Sequence, residues 1–319
     1  MKKIENILIT SAGRRVSLIK NFQESLKKFN SNGLVFAIDL NPKLSSACQI
    51  ADDFEKAPRV TDKNYIEFLK EFSIKNKISI IVPTIDTELS ILARAKDEFK
   101  TIGIDIAISS VEMCETFYLK STTEKFFKEF GFKTPDNLNS IQNVQYPIFA
   151  KLNNSSCSVG AEKVDNFERA NELQVENSNY VFQEFIDGDE FTVDVFVDQN
   201  GDVISVVPRQ RLEVRAGEVS KALAIKDRSI IDEVKKIFSK QKGFYGTITV
   251  QLFKRGSEII FIEINPRFGG GYPLSYRAGS DFAEYLIRDY FGEKLIYSEN
   301  WRDRTAMLRY DAEVIVEDF

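Results

Sequence analysis

Oxygen donors and a guanidinium group recur at every second position of one apolar segment. Glu263, Asn265 and Arg267 share one face if this segment is extended. If residues 256–258 form a three-residue hairpin loop, Gln251 pairs opposite Glu263 on the same face. Mg²⁺ takes carboxylate and amide oxygens and keeps bonds to phosphates, and an arginine beside it can hold a phosphate. The spacing therefore predicts a metal and phosphate site, with a solvent-exposed polar face as the alternative.

A lysine followed by small polar residues forms a second candidate site. Lys151 ends the apolar run at 146–151, and residues 153–160 are mostly small and polar. Backbone N–H groups of such a segment can approach phosphate oxygens while the lysine adds a positive charge. The segment lacks the Gly-Lys-Ser/Thr ending of a P-loop, so that class is excluded. A plain hairpin turn explains the segment equally well.

Polar residues also follow the apolar runs of the N-terminal third. In open parallel sheets, the residues just beyond the strand ends line the ligand cleft. The candidate cleft residues are Ser11, Gly13, Asp39, Thr84, Asp86 and Glu88. Ordinary loop or helix-cap roles are the alternative for each of them. The Gly-x-Gly-x-x-Gly signature of dinucleotide-binding proteins is absent here.

The lack of histidine restricts which catalytic groups and metal sites the chain can contain. The chain of 319 residues contains no histidine, which excludes Ser-His-Asp and Cys-His nucleophiles and His-based zinc sites. Its net charge of −5 argues against a nucleic-acid-binding surface. The three cysteines show no spacing typical of a disulfide framework or a zinc site. Because no apolar run is long enough for a signal peptide or a membrane span, we expect a cytoplasmic protein.

Strands alternate with helices in the predicted secondary structure of the N-terminal third. Apolar runs at 7–10, 34–38 and 78–82 predict strands. Helical spacing of apolar residues at 16–26 and 65–72 predicts the helices between them. This alternation predicts a parallel sheet with right-handed crossovers.

The middle of the chain combines a predicted helix with predicted strands. Residues 113–130 have the pattern of one helix. Residues 181–194 predict two strands around a turn at Asp187–Gly188. Alternation places the polar residues of the second strand on one face, namely Glu190, Thr192 and Asp194.

The metal-site segment resembles that of the ATP-grasp superfamily. Specifically, the chain resembles the stand-alone proteins similar to the large subunit of carbamoyl phosphate synthase. The residues that carry it are Gln251, Glu263, Ile264, Asn265, Pro266 and Arg267. The resemblance covers essentially the whole chain.

The resemblance implies an α/β fold that becomes α+β in its ATP-binding part. A pre-ATP-grasp domain with a parallel sheet is expected at residues 1–111, and an ATP-grasp domain at 112–319. The ATP-grasp domain is expected to consist of a lid-like subdomain at about 121–183 and a metal- and substrate-binding subdomain at about 184–319.

The resemblance also implies roles for individual residues. Mg²⁺, or Mn²⁺ in its place, is expected on Gln251, Glu263 and Asn265, with Arg267 on the γ-phosphate. Lys120 and Lys151 are expected to bind phosphates. The mobile phosphate loop is expected at Ser155, Ser156, Ser158, Val159 and Gly160. Adenine and ribose contacts are expected from Gln183, Glu184, Phe185, Ile186 and Glu190.

Further residues are predicted to contact the other substrates. Three arginines are predicted to clamp a carboxylate or an acylphosphate; they are Arg209, Arg211 and Arg215. An exposed charged strand is the alternative for these arginines and for Lys221, which belongs with them. The predicted acceptor pocket comprises Gly270, Gly271, Tyr272 and Ser275.

The implied activity is ATP-dependent ligation of a carboxylate to an amine through an acylphosphate. Positioning and electrostatic stabilisation dominate phosphoryl transfer, so the lack of histidine is no obstacle. Two alternatives remain: a synthase-like or other phosphoryl transfer to a small carboxylate, and a non-catalytic ATP-binding sensor. The expected partners are small molecules, with neither nucleic acid nor membrane among them. Because the family often forms dimers, a homodimer is an expectation as well.

Overall fold

The computed structural model describes residues 3–153, 160–215 and 217–317. The predicted loop residues Ser155, Ser156, Ser158 and Val159 lie outside them. The strands are β1 (Asn6–Ile9), β2 (Val35–Asp39), β3 (Asp53–Lys56), β4 (Ile78–Val82), β5 (Asp105–Ile106), β6 (Ile148–Leu152), β7 (Glu162–Val164), β8 (Tyr180–Glu184), β9 (Asp189–Val197), β10 (Val203–Arg215), β11 (Glu218–Ala224), β12 (Gly246–Arg255), β13 (Glu258–Asn265) and β14 (Thr305–Leu308).

Helices connect and cover these strands. They are α1 (Val16–Lys27), α2 (Ser46–Ile50), α3 (Tyr65–Lys75), α4 (Asp86–Thr101), α5 (Val111–Thr116), α6 (Lys120–Glu129), α7 (Phe167–Glu176), α8 (Arg228–Lys240), α9 (Tyr272–Ala278) and α10 (Phe282–Tyr290). In the described part of the chain, no helix is both long and apolar enough to cross a membrane.

The N-terminal third forms the predicted parallel sheet. Its strand order is β3-β2-β1-β4-β5, and every pairing is parallel. All five residues of β4 are buried, as expected for a strand covered by helices on both sides. The first three predicted strands and both predicted helices are confirmed, with ends shifted by a few residues.

A six-stranded sheet carries the predicted metal ligands. Its order is β13-β12-β9-β10-β11-β14, and its pairings are antiparallel. Gln251 pairs opposite Glu263 as predicted, but the loop has two residues rather than three, because Arg255 pairs with Glu258. A bulge at Ile262 adds the missing residue and restores the pairing.

The turn at Asp187–Gly188 lies between two strands, as predicted, and these strands belong to different sheets. β8 belongs to a three-stranded sheet of order β7-β6-β8, whereas β9 lies in the six-stranded sheet. A Cβ atom on Gly188 would lie 2.8 Å from the carbonyl oxygen of Lys254, so the crossing from one sheet to the other requires glycine. Glu190, Thr192 and Asp194 occupy alternate positions of β9, as predicted, and Thr192 and Asp194 are buried.

The single helix predicted at 113–130 is divided into α5 and α6. Between them the chain is extended at Leu119, whose carbonyl oxygen accepts the hydroxyl proton of Thr122. The break lets Phe117 pack against Phe126 and Phe244, with ring centroids 5.0 and 5.6 Å away. Periodicity alone could not detect a break whose cause is aromatic packing from a distant part of the sequence.

One hydrophobic cluster joins the parallel sheet to the six-stranded sheet. Helix α1 lies between them and packs on α9 and α10. Phe22 of α1 contacts Phe268 edge to face at 5.6 Å. At the border of this contact, Ser25 donates its hydroxyl proton to Asp281 at 2.8 Å, and Lys28 forms ion pairs with Asp281 and Glu284.

Candidate nucleotide and metal site

The predicted metal ligands lie on two paired strands. Gln251 of β12 faces Glu263 of β13, and Thr249 faces Asn265. The Gln251 and Glu263 side chains are half-buried, and Asn265 is buried. β13 ends at Asn265 before Pro266, which cannot donate a backbone hydrogen bond to a ladder. One carboxylate and two amides suit a hard cation that keeps phosphate ligands.

Two lysines lie near each other, and one of them, Lys151, lies near Glu263. Lys151, at the cleft end of β6, is buried, and burial lowers the pKa of its ammonium group to about 8. Lys120 lowers the pKa of Lys151 further, whereas Glu124 and Glu263 raise it. Lys151 therefore lies within electrostatic reach of both the metal-site carboxylate and a second lysine. A polyphosphate between Lys120 and Lys151 would relieve their mutual repulsion.

The edge of the predicted phosphate loop is described only at Gly160. Its φ of +68° is a left-handed conformation that favours glycine. A Cβ atom there would lie 2.7 Å from Cδ1 of Leu152, so space as well as backbone angle requires glycine.

The predicted adenine segment runs from β8 of the three-stranded sheet to the turn before β9. Gln183 is buried, and its side chain donates to Asn137 at 2.8 Å. Glu184 exchanges hydrogen bonds with the backbone of Asp136. Ile186 is buried, and the Phe185 ring lies 5.2 Å from the ammonium group of Lys163. Phe185 and Glu184 also line an open hollow of about 740 Å³ beside this segment.

Glu190, the predicted ribose ligand, pairs with an arginine. Its carboxylate oxygen lies 3.2 Å from Nε of Arg211. Burial raises the pKa of Glu190, and the charge of Arg211 opposes that rise. Arg211 thus has a carboxylate partner within the chain.

The three arginines of the predicted clamp point to three different carboxylates. Arg209 is fully buried and binds both oxygens of buried Asp194, at 2.7 and 2.9 Å. Arg215 is exposed and pairs with Asp311. Lys221, grouped with them, forms an exposed pair with Glu213 at 2.6 Å. The described structure does not bring these guanidinium groups together, and the clamp stays a prediction.

The predicted acceptor-pocket residues follow β13. Ser275 is buried and donates to Asp194 at 2.6 Å, and Tyr272 is buried and accepts the backbone N–H of Phe282 at 2.8 Å. These two side chains lie in the core. Gly271 packs directly on the guanidinium of Arg209, whose Cζ would be 2.9 Å from a Cβ atom there, whereas Gly270 is exposed.

The candidate residues of the N-terminal domain surround a buried carboxylate. Glu88 accepts the backbone N–H of Thr84 at 2.7 Å and the hydroxyl of Ser11 at 2.9 Å. Burial raises the pKa of Glu88, and these hydrogen bonds oppose the rise. Asp39 accepts the backbone N–H of Gly13 at 2.9 Å. Glu88 and Asp39 therefore shape the loops at the carboxyl ends of β1 and β4.

Arg267 lies at the junction between the two sheets. Its Nε and Nη2 donate to the two oxygens of Asp86, each at 2.7 Å. Nη2 also lies 3.3 Å from Oδ1 of Asn265. The neighbouring Arg15 donates to the carbonyl oxygens of Phe268 and Thr84 at 3.0 and 2.9 Å.

Sequence reasoning missed Arg15. Burial, together with the charge of Arg267, lowers the pKa of its guanidinium to about 10. The signal available was its place two residues after Gly13, at the start of a predicted helix. Its hydrogen bond to the carbonyl oxygen of Phe268 joins segments that are distant in the sequence.

Two family models match the chain. The PylC-like N-terminal domain matches residues 7–107, and the ATP-grasp domain matches residues 119–271. The predicted superfamily and fold class are thereby confirmed.

Curated proteins of related sequence include two from microbes. The formate-dependent phosphoribosylglycinamide formyltransferase of Prochlorococcus marinus (strain AS9601) is 29% identical in an alignment of length 262 that covers 73% of this chain and 63% of that protein. The chain thus matches less than two thirds of the length of this relative. The tyramine–L-glutamate ligase of Methanocaldococcus jannaschii is 23% identical over 247 residues, covering 73% of this chain and 75% of that protein.

Solved structures show the same fold. Biotin carboxylase from Campylobacter jejuni aligns with a TM-score of 0.73 and 16% identity, covering 96% of this chain and 75% of that one. The ADP complex of N5-carboxyaminoimidazole synthetase from Staphylococcus aureus aligns with a TM-score of 0.71 and 16% identity, covering 98% and 95%. The chain thus contains an ATP-grasp domain at residues 119–271, preceded by a PylC-like N-terminal domain at residues 7–107.

Proposed function

We propose that this protein is an ATP-dependent ligase that activates a small carboxylate by phosphorylation and joins it to an amine. One observation supports this most directly: Gln251, Glu263 and Asn265 line one face of a hairpin, and Lys151 lies within electrostatic reach of that face. The tyramine–L-glutamate ligase, which by its name joins an amine to an acid, adds support.

The proposed roles follow from charge and position. Lys120 and Lys151 bind the phosphates next to the nucleoside, and Arg267 orients the γ-phosphate. Mg²⁺ on the hairpin face would neutralise phosphate charge during transfer. A carboxylate oxygen attacks the γ-phosphorus and ADP leaves, which gives an acylphosphate. The amine then attacks the acyl carbon, loses a proton and releases phosphate.

We propose the division of labour that the sequence predicted. Residues 1–111 contribute to substrate binding, 121–183 act as the lid, and 184–319 hold metal and substrate. The predicted nucleotide contacts of residues 155–160, Gln183–Ile186 and Glu190 are part of the same proposal. A cytoplasmic location and a homodimer complete it; a related biotin carboxylase domain has been described as a dimer.

The test is a screen of acids and amines for stimulated ADP release. We expect release that requires Mg²⁺ and both co-substrates, and an amide product detectable by mass spectrometry. Release with a carboxylate alone would favour the synthase-like alternative. Nucleotide binding without turnover for any pair would favour the sensor.

A matched pair of variants links turnover to the metal site. Glu263→Gln removes the charged ligand and is expected to lower turnover at least ~100-fold while the thermal unfolding curve stays unchanged. Glu258→Gln, on the exposed start of the same strand, is expected to keep full activity. Equal activity in both variants would contradict the assignment of Glu263.

A further inference from the structure

The ion pair between Asp86 and Arg267 joins residues far apart in the sequence. Asp86 opens α4 in the N-terminal domain, and Arg267 follows β13 in the ATP-grasp domain. Both carboxylate oxygens accept from the guanidinium, each at 2.7 Å. The guanidinium is largely buried, with 15% of its side chain exposed. A two-point contact of this kind fixes the plane of the guanidinium group.

The segment that carries Asp86 is itself held in place. Glu88 accepts the backbone N–H groups of Thr84 and Ile85, at 2.7 and 3.2 Å. Arg15 ties the carbonyl oxygen of Thr84 to that of Phe268, the residue next to Arg267. The carboxylate of Asp86 therefore rests on a backbone that is anchored both to its own domain and to the neighbouring one.

We infer that Asp86 is a positioning residue that fixes the Arg267 guanidinium for the γ-phosphate. This rests on the proposed function, in which Arg267 binds that phosphate. The guanidinium lies 3.3 Å from Oδ1 of Asn265, a proposed metal ligand, so it is held at the border of the metal site. The N-terminal domain thereby contributes to nucleotide binding as well as to substrate binding.

Two other roles for Asp86 make different predictions. As an acid in the first turn of α4, it would stabilise the helix only, and its loss would not change nucleotide selectivity. As a competitor for Arg267, it would weaken the γ-phosphate contact, and its loss would strengthen binding. Positioning predicts the opposite sign, because a freed arginine side chain must lose rotamer freedom on binding.

The test compares the dissociation constants of Mg·ADP and of the Mg complex of the non-hydrolysable ATP analogue AMPPNP, measured by calorimetry. The dissociation constant of Mg·ADP divided by that of Mg·AMPPNP measures how much the γ-phosphate contact adds to binding. The measurement needs no co-substrate. We expect Asp86→Asn to reduce the ratio about ten-fold, with little change in Mg·ADP affinity. Arg267→Ala is expected to reduce it at least as much. The double variant is expected to reduce the ratio no further than Arg267→Ala does, since both substitutions remove the same contact.

Controls separate this inference from the proposed function. Asp86→Glu keeps the charge and is expected to restore part of the ratio, and Glu98→Gln, which breaks an exposed ion pair of the same helix α4, is expected to leave it unchanged. Asp86→Asn nearly preserves shape, and thermal unfolding verifies its fold. An unchanged or increased ratio in Asp86→Asn, with a reduced ratio in Arg267→Ala, overturns the inference alone. No reduction in Arg267→Ala, or no nucleotide binding by the unaltered chain, overturns the proposed function as well.

Discussion

At the scale of single residues, two buried cations differ in how their charge is balanced. Arg209 binds both oxygens of a buried aspartate, so its charge is neutralised within the fold. Lys151 lies in a buried position beside Lys120, and the pKa of its ammonium group falls to about 8. A cation destabilised in this way gains from an incoming anion, which is the behaviour expected of a phosphate-binding lysine.

The lowered pKa of Lys151 predicts that nucleotide binding is linked to proton uptake. Above about pH 8 the free protein has lost the Lys151 proton, and bound phosphates restore it by favouring the charged form. We expect Mg·ADP binding near pH 9 to take up protons, whereas binding near pH 7 takes up fewer. Calorimetry in buffers of different ionisation enthalpy measures the uptake.

Lys151→Arg provides the control for this measurement. Arginine stays protonated throughout this pH range, so the variant should bind without the uptake assigned to Lys151. The same uptake in the variant and the unaltered chain would show that another group is responsible.

At the scale of elements, the segment after β13 depends on close packing. Gly269, Gly270 and Gly271 follow the metal-site strand, but their surroundings differ. A Cβ atom on Gly271 would overlap the guanidinium of Arg209, which is fixed by Asp194 and cannot move aside cheaply. On Gly270 the nearest atoms would be 3.8 Å away, an ordinary contact.

Gly271→Ala is therefore expected to destabilise the fold, and Gly270→Ala is not. Overpacking against a fixed buried group costs about 1–3 kcal/mol, which urea denaturation can resolve. Equal stability of the two variants would mean that the Arg209–Asp194 pair adjusts more easily than its burial suggests.

Elements with strong local patterns were predictable from the sequence, and elements determined by distant contacts were not. The parallel strands follow from local periodicity, whereas the pairing of Gln251 with Glu263 also depends on a bulge. Periodicity gives no sign of the bulge at Ile262 or of the break at Leu119, and the break accompanies packing of Phe117 on Phe244, which is distant in the sequence. The site shows the same difference: residue types indicated the phosphate and metal chemistry, whereas the Asp86–Arg267 contact needed the arrangement of two domains.

At the scale of the whole molecule, a buried carboxylate lies where the domains meet. Asp289 of α10 is buried, and burial raises its pKa to about 6. The charges of Asp198 and of Asp105 in β5 raise it further, whereas hydrogen bonds from the Gln199 backbone and the Tyr245 hydroxyl oppose the rise. The pKa of Asp289 therefore depends on one carboxylate from each sheet region, Asp198 after β9 and Asp105 in β5.

This raised pKa makes stability depend on pH with a definite sign. Between about pH 4 and 6 the folded chain keeps the Asp289 proton while the unfolded chain has lost it, so the group stabilises the fold at low pH. That contribution is lost as pH rises through 6. Asp289→Asn should therefore gain about 1 kcal/mol, relative to the unaltered chain, between pH 5 and pH 8. Urea denaturation at both values measures this, and the exposed Asp97→Asn should show no such trend.

Helix α1 joins the N-terminal domain to the six-stranded sheet, so the two domains are not independent of each other. Its apolar face belongs to the same cluster as the interior of the six-stranded sheet, and its polar border is tied to α10 through Ser25 and Lys28. If a different N-terminal domain replaced this one, part of the apolar cluster of the six-stranded sheet would have no matching surface unless the new domain reproduced the apolar face of α1. We therefore expect substitutions that change the substrate to lie in the loops at the strand ends. Helix α1 must keep its apolar residues because they pack at the junction between the sheets.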